Sequence, residues 1–583
     1  MEVLAVSHAL PKEYNFQGLK IKSSILHDPL TAPTDYIELD ENGVVDNATA
    51  AHEGPVYVMF AENYDYWCSN LGVERASWDW CHWGENITLR YKGQARLENE
   101  IQLGDIWRIG DSVRLEVCGS RIPCQKLSWR CGQKDSWLPT LAATGRVGVY
   151  LRVIQGGRVH PGDEAHLEAP SKSRDTVNVA TITQVCYSAS LKTKDTLDML
   201  AKHKLLMRLN KLFVSQKLHL IEDKLNLEKN GWKGWRDLRV FKVVDEGWNI
   251  KSFYFQPLND DEDKSLANYQ PGQFLSIRLP KGTIRSWTIS DFPCRDGPQY
   301  YRVTIKKGGV ASTWMHDHCT PNTTLPARSP AGRFVLDWAS GINPRQVYIS
   351  AGIGITPMLA MLRAHALHPN FQSTPALIIH VAQNGASFPF QEEIAKLGIA
   401  RSEKHIYFTL PRPSPDVQGV HYDHVGRPSM EALKEVLSAP YQWNPFGTSD
   451  QTVPCKMSKC YICGPADFEA SIKSCLQEIG IPPPLIFSES FSASGAALGE
   501  VKRARVRFVK SNKTATWDRE APVSLLELAE SLGLTPDYGC RVGACGSCKA
   551  KLNCGSVSGG VQMDGSVLTC AAVPASEEVE IDM

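Results

Sequence analysis

Apolar positions along this chain fall mostly into short runs broken by Gly, Pro and Asp, and few stretches keep a helical period. Val347-Tyr348-Ile349-Ser350 and Ala376-Leu377-Ile378-Ile379-His380-Val381-Ala382 show the near-continuous apolar pattern of buried strands. Between them, Met358 to Ala366 reads as a helix with Pro357 near its first turn. Cys460-Tyr461-Ile462-Cys463-Gly464-Pro465 extends the alternation, so residues 343–495 are predicted to form an α/β unit around a parallel sheet. His380 lies inside a strand and is expected to be a core residue. Upstream, residues 236–342 switch to short strands separated by Gly and Pro, which predicts an antiparallel β-barrel. In the first 170 residues, Trp107 to Val117 and Val147 to Ile154 alternate or run apolar, with turns at Gly104-Asp105 and Gly110-Asp111. A compact β-rich domain is expected there. Ser492-Ala493-Ser494-Gly495-Ala496-Ala497 reads as a flexible hinge before a last segment, 498–583.

Composition narrows the function classes. Lys+Arg and Asp+Glu balance at 63 each, so no basic field points to nucleic acid. The 43% hydrophobic and 22% charged content is that of a soluble globular protein, and no run approaches the ~18 apolar residues that span a bilayer. The N-terminus has no basic region followed by an apolar stretch, and 17 cysteines are scattered through the chain. Reduced thiols in the cytoplasm are the expectation.

Four of those cysteines are spaced for chemistry. Tyr-Gly-Cys540-Arg-Val-Gly-Ala-Cys545-Gly-Ser-Cys548, followed by Leu-Thr-Cys570, has the C-x4-C-x2-C…C spacing of a plant-type 2Fe-2S cluster. Each iron takes two bridging sulfides and two thiolates, and Gly539, Gly543 and Gly546 permit turns that aim amide N–H groups at sulfur. A structural zinc site would more often show two C-x2-C pairs, and a disulfide framework would belong to a secreted chain.

The α/β unit and the barrel carry further candidates. Gly352-Ile353-Gly354-Ile355-Thr356-Pro357 is a strand-to-helix turn that lets the backbone approach a pyrophosphate. Arg285-Ser286-Trp287-Thr288 places a cation and an aromatic ring on one strand face, with a hydroxyl beside them. Such groups can pair a phosphate, cover an isoalloxazine and bond a ring nitrogen. Gly308-Gly309-Val310-Ala311-Ser312-Thr313, before a helix, offers donors for a phosphate, with Gly309, Ser312 and Thr313 the candidates. Taken singly, each could equally be a solvated strand face or a helix cap.

In this order the segments resemble the ferredoxin-reductase superfamily, in the flavin–nicotinamide–ferredoxin arrangement of phthalate dioxygenase reductase. Arg285-x-Trp287-Thr288 resembles its flavin motif with tryptophan in place of tyrosine. Gly352-x-Gly354-x-Thr356-Pro357 resembles its nucleotide loop, Cys463-Gly464-Pro465 its segment beside the nicotinamide, and Phe487-Ser488-Glu489-Ser490-Phe491 the end of its nucleotide domain. The phthalate reductase order implies FMN, whereas Pro330-Ala331-Gly332-Arg333-Phe334 is more similar to FAD members such as flavohaemoglobin, so FAD is expected. Neutral Gln383 and Asn384 leave NADH and NADPH both open.

Cys124 lies in Ser120-Arg121-Ile122-Pro123-Cys124-Gln125-Lys126-Leu127, where two cations would favour a thiolate and could hold a phosphate. On those facts alone a buried structural cysteine is the better reading. Residues ~20–165, however, resemble a MOSC domain of the YiiM-like branch. The resemblance rests on His52-Glu53-Gly54-Pro55, Gly84-Glu85-Asn86-Ile87, Gly104-Asp105-Ile106-Trp107-Arg108-Ile109-Gly110, Arg121-x-Pro123-Cys124-x-Lys126-Leu127 and Thr144-Gly145-Arg146-Val147-Gly148. Residues 171–228 resemble that branch's three-helix appendage, with Leu197, Leu200, Leu205, Leu212, Leu218 and Leu220 as a packing stripe. The resemblance implies that Cys124 ligates the molybdenum cofactor, with Arg121, Lys126, His52, Asn86 and Arg146 as contacts. Cys118 and Cys131 are taken as structural.

The implied fold is multidomain: a MOSC β-barrel (1–170) with a three-helix appendage (171–228), a flavin-binding barrel (236–342), an NAD(P)-binding α/β domain (343–495) and a β-grasp ferredoxin domain (498–583). The implied function is a self-sufficient NAD(P)H-dependent reductase of small N-hydroxylated compounds, needing no external electron supply. Two alternatives stay open: a reductase for a separate oxygenase with a non-catalytic MOSC-like part, and a redox-linked sulfur carrier.

Overall fold

A computed structural model describes residues 1–583 except 17–18, 46–54, 173–176, 189–190, 228–229, 233, 259–264, 293–296, 338–343, 400, 445–450, 491–500, 521, 539–542, 544–545, 547 and 563. Two compact units emerge, residues 1–223 and residues 224–445 with 450–583.

In the first unit a seven-stranded sheet runs in the order Glu2–Val6, Ile87–Arg90, Val56–Phe60, Val149–Gln155, Val113–Ser120, Ile106–Ile109, Ala165–Ala169. A bridge between Glu2 and Glu164 brings its two edges together, so the sheet curls into the expected barrel. Helices Val179–Tyr187, Lys194–Lys202 and Arg208–Leu227 follow. They are not a separate body. Ile182, Val185, Leu197, Leu200, Leu206 and Val214 pack in the same core as Val58, Leu115 and Val149. Of the predicted leucine stripe, Leu197, Leu200 and Leu218 are buried, while Leu205, Leu212 and Leu220 are only half-buried. Leu206 and Val214 take their places, a shift of register that the spacing of leucines alone does not reveal.

The second unit opens with a six-stranded antiparallel sheet, Ile284–Thr288, Phe274–Arg278, Thr324–Ala327, Arg236–Gly247, Ile250–Pro257, Tyr301–Lys306. A bridge from Ile289 to Val303 closes it. Next comes a parallel sheet in the order His424–Val425, Ser402–Phe408, Ala376–Ala382, Gln346–Ala351, Lys459–Gly464, Ile486–Ser490. His380 is fully buried in it and shares a hydrogen bond with Ser350 Oγ (2.9 Å). The barrel and this sheet are tied by ions. Arg302 of the barrel is bidentate on Glu393 (2.9 and 3.0 Å), and Arg363 joins Glu393 (2.6 Å) to Asp291 (2.5 Å). The last segment is a five-stranded β-grasp sheet crossed by helix Leu525–Ser531, whose N-terminus is closed by a Ser524/Glu527 capping box.

Candidate functional site

In the α/β unit, strand Gln346–Ala351 runs into the turn Gly352–Gly354 and helix Ile355–Leu367, the junction where open parallel sheets bind ligands. Gly352 has φ +54°, and a Cβ built there would meet nothing within 4 Å, so the turn opens onto free space. At Gly354 a Cβ would stand 2.2 Å from Cys463 O and 3.0 Å from Gly464 N. The absence of a side chain is what brings the two predicted segments together. Thr356 is 2% exposed and donates to Ile353 O (3.0 Å), so its hydroxyl braces the turn from below. Cys463 is fully buried, and burial, with Glu489 and Glu469 adding to it, pushes its thiol well up. It is a neutral, compact wall. Pro465 is exposed at the start of helix Ala466–Glu478.

On the barrel, Arg285 and Trp287 share one face of strand Ile284–Thr288, opposite Ile277 and Leu275. Arg285 is exposed and donates to Ile284 O (2.8 Å), Trp287 is half-buried against the barrel core, and Thr288 is 5% exposed. At helix Val310–His318, the Ser312 hydroxyl accepts from Gly308 N (3.0 Å) and Gly309 N (2.9 Å). That capping box holds the two amides in place; Val310 beside them is 90% exposed, and Thr313 is half-buried.

Near the C-terminus, Cys548 Sγ and Cys570 Sγ lie 3.2 Å apart, and Gly543 N–H donates to Cys570 Sγ (3.2 Å). Two thiolates on one tetrahedral metal, with metal–sulfur bonds near ~2.3 Å, stand roughly 3.7 Å apart, so this pair suits one iron after a small adjustment. Cys540 and Cys545 lie outside the described residues, as does the hinge 492–497. Among the described residues, the barrel meets this segment at Arg328–Asp537 (2.8 Å) and at Arg333–Gln562 (2.6 Å), and Arg333 also borders Gly546.

In the first unit Cys124 precedes helix Gln125–Arg130 and is exposed, whereas Cys118 and Cys131 are buried with thiols pushed up to about 12 by burial. Arg121 is 5% exposed, donates to Trp83 O (2.7 Å) and lies 5.0 Å over the Tyr57 ring. Lys126 is half-buried near Ser23 Oγ (3.3 Å); burial lowers its ammonium pKa, and the sulfur of Cys124 opposes that. The exposed sulfur thus shares its loop with two cations, Arg121 and Lys126, a setting suited to an anionic ligand.

Two expected contacts need restating. His52 lies outside the described residues. Asn86 is 1% exposed and does not line the site; its amide accepts from Tyr57 N (3.1 Å) and donates to Ser7 O (3.2 Å), so it ties segments of the barrel together. Arg146 is half-buried over the Tyr66 ring (4.3 Å) and near Asn63 Oδ1 (3.3 Å).

The sequence reading passed over Glu85. It is fully buried and accepts from Tyr64 Oη (2.6 Å), Thr88 Oγ1 (2.8 Å) and Cys81 N (3.1 Å), while its own carbonyl takes His27 Nδ1 (2.8 Å). Burial raises its carboxyl pKa and pushes His27 down to about 4. Its place between Gly84 and Asn86 in the quoted motif was the available signal. Thr183, Tyr187 and Asn210, which reach the Cys124 segment from the helices, had none.

Three family models match the chain: MOSC domain over residues 46–166, oxidoreductase NAD-binding domain over 348–474, and 2Fe-2S iron-sulfur cluster binding domain over 508–575. All three domains meet in one chain. The chain is 32% identical to a flavohemoprotein of Deinococcus radiodurans over 276 residues, 46% of this chain and 62% of that protein. It therefore spans about three fifths of that relative's length. Among solved structures, phthalate dioxygenase reductase, described as modular for electron transfer from pyridine nucleotides to [2Fe-2S], is 18% identical. The match covers 60% of this chain and 98% of that one, with a TM-score of 0.41. YiiM from Geobacillus stearothermophilus is 19% identical, covering 37% of this chain and 98% of that one, with a TM-score of 0.29. The MOSC, NAD-binding and 2Fe-2S domains thus stand in the order read from the sequence. No helix among the described residues is long and apolar enough to cross a membrane.

Proposed function

We propose that this chain is an NAD(P)H-dependent oxidoreductase whose C-terminal half supplies electrons to its MOSC domain, where a small N-hydroxylated compound is reduced. The balance is R–NHOH + NAD(P)H + H⁺ → R–NH₂ + NAD(P)⁺ + H₂O. The observation that carries this reading is the exposed Cys124, beside Arg121 and Lys126, in a chain with its own NAD-binding and 2Fe-2S domains. No external reductase is required, and a cytoplasmic setting would keep the thiols reduced.

Arg285, Trp287, Thr288, Gly309, Ser312 and Thr313 would hold the flavin, FAD rather than FMN. Cys540, Cys545, Cys548 and Cys570 would hold the cluster, and Cys124 the molybdenum cofactor. When bound, these groups supply the splitting of a two-electron donor into single electrons, their relay, and removal of the substrate oxygen. The chain's residues do the positioning. The open face of Gly352 admits the pyrophosphate, with Gly354 and Thr356 fixing the turn. Cys463, Gly464 and Pro465 border the nicotinamide, and the neutral thiol adds no charge there. Arg121 and Lys126 stand on the Cys124 loop, where they would favour an anionic ligand.

A metal and flavin inventory of the purified chain tests the reading: about two iron atoms, one flavin and one molybdenum per chain are expected. Iron and flavin without molybdenum would instead favour a reductase with a non-catalytic MOSC part, and a persulfide on Cys124 would favour the sulfur carrier.

A further inference from the structure

The strand that leads to Cys124 pairs with Val149–Gln155 along one edge up to Ser120, but its other edge has no strand neighbour at that end. Along strand Val113–Ser120, the neighbouring strand Ile106–Ile109 reaches as far as Glu116, and the turn Gly104-Asp105 serves Val117. Beyond that point the outer backbone groups of residues 118–120 would be unpaired, a costly state for buried strand ends. The helices fill the gap. Met207 N donates to Cys118 O (2.7 Å), and Asn210 is bidentate on Ser120, accepting from its N–H (3.0 Å) and donating to its carbonyl (2.9 Å). Asn210 is fully buried inside helix Arg208–Leu227 and thereby imitates a strand partner.

Two more helix residues continue along the same segment. Thr183 Oγ1 shares a hydrogen bond with Ser120 Oγ and donates to Arg121 O (3.1 Å). Tyr187 Oη donates to Pro123 O (2.8 Å), one residue short of Cys124. Carbonyls 118, 120, 121 and 123 are therefore all held by residues between 183 and 210. Gly119 makes the approach feasible: a Cβ there would stand 2.2 Å from Asn210 Oδ1 and 2.8 Å from Met207 Sδ. Packing alone would bury apolar side chains and would not place a hydrogen-bonding group opposite successive carbonyls of one loop.

We propose that the three-helix appendage is the positioning element of the Cys124 loop, with Thr183, Tyr187 and Asn210 as its positioning residues. Its role in turnover rests on the function proposed above, but the claim about the loop does not.

The test uses the full chain with two near-isosteric variants, Tyr187→Phe and Thr183→Val, and with Thr183→Ser as the conservative rescue. Backbone amide hydrogen exchange of residues 118–124 is followed together with iodoacetamide labelling of Cys124, using exposed Cys554 as the internal reference. Loss of one net hydrogen bond corresponds to a factor of about five, so exchange in 118–124 should accelerate about fivefold in Tyr187→Phe, which loses one, and at least as much in Thr183→Val, which loses two. The Cys124/Cys554 labelling ratio should move about threefold away from wild type as the loop loses its fixed position, with Thr183→Ser at the wild-type value. Unchanged exchange and labelling in both variants, or a Thr183→Ser protein as perturbed as Thr183→Val, would overturn the proposal. If Cys124→Ala still reduces N-hydroxylated substrate, the functional reading fails; exchange in 118–124 still decides the positioning claim.

Discussion

The nucleotide turn of the second unit and the Cys124 loop of the first are held by different kinds of contact. Gly352–Gly354 is shaped by residues within a few positions of itself and by one strand beside it; Thr356 closes it and Cys463 walls it. The Cys124 loop is held by side chains 60 to 90 positions away, Thr183, Tyr187 and Asn210. A site built from local turns tolerates change elsewhere in its unit, whereas one built from distant helices answers to all of them.

The sharpest break in the comparison is expected at the cluster. Cys570→Ser should abolish the visible iron–sulfur absorption and one-electron transfer to ferricyanide, with hydride transfer from NADH to flavin intact. Stopped-flow absorbance separates the two steps. Retained iron–sulfur absorption would remove Cys570 from the ligand set.

Gly354→Ala comes next. Its Cβ meets main-chain atoms of Cys463 and Gly464, which cannot rotate away, so the turn must shift. KM for the nicotinamide nucleotide should rise about tenfold with the folding midpoint little changed, while a change confined to kcat would place the nucleotide elsewhere.

The units should also differ in acid. Burial pushes His380 down to about 3 and His365 to about 4 in the second unit. Unfolded imidazoles protonate near pH ~6.5, so below that the unfolded chain binds more protons and stability falls toward the folded values, by about 1.4 kcal/mol per pH unit for each imidazole. In the first unit His27 and His82 behave alike, both at about 4, but burial raises the carboxyl pKa of Glu85 and Glu98. Such carboxyls lose stability as pH rises above ~4.5, so they offset the histidines over the shared range. Pulse proteolysis in urea at pH 7 and pH 5 should show the second unit destabilised more than the first. Equal loss would contradict the assignment.

The smallest effect is expected at Arg328–Asp537. Arg328 rests on Trp235 (4.8 Å), but Asp537 is 78% exposed, so the pair is worth ~0.2–1 kcal/mol and is screened by salt. Asp537→Lys should slow electron passage to the cluster about twofold at low salt, and the double charge swap should recover it.

What was legible in the sequence follows the same division. Cys548 and Cys570, the glycine turn and the buried strands announce themselves by spacing, because local geometry dictates which residue types can stand there. Asn86 misled for the opposite reason: an amide in a quoted motif looks like a ligand contact, and only the fold shows it spent on Tyr57 and Ser7. Leu206 and Val214 displaced Leu205 and Leu212 because helix phase is set by the barrel beneath. Asn210 was hidden because its partner, Ser120, is 90 positions away, beyond any periodic signal.

The central claim places the end of the electron path at Cys124. The most direct measurement is NADH-dependent reduction of benzamidoxime by Cys124→Ala, with ferricyanide reduction by the same preparation as the reference. Benzamidoxime turnover should fall at least about a hundredfold, the scale of losing a group that holds the reacting centre, with ferricyanide turnover within about twofold of wild type. Benzamidoxime reduction at the wild-type rate in Cys124→Ala would contradict it.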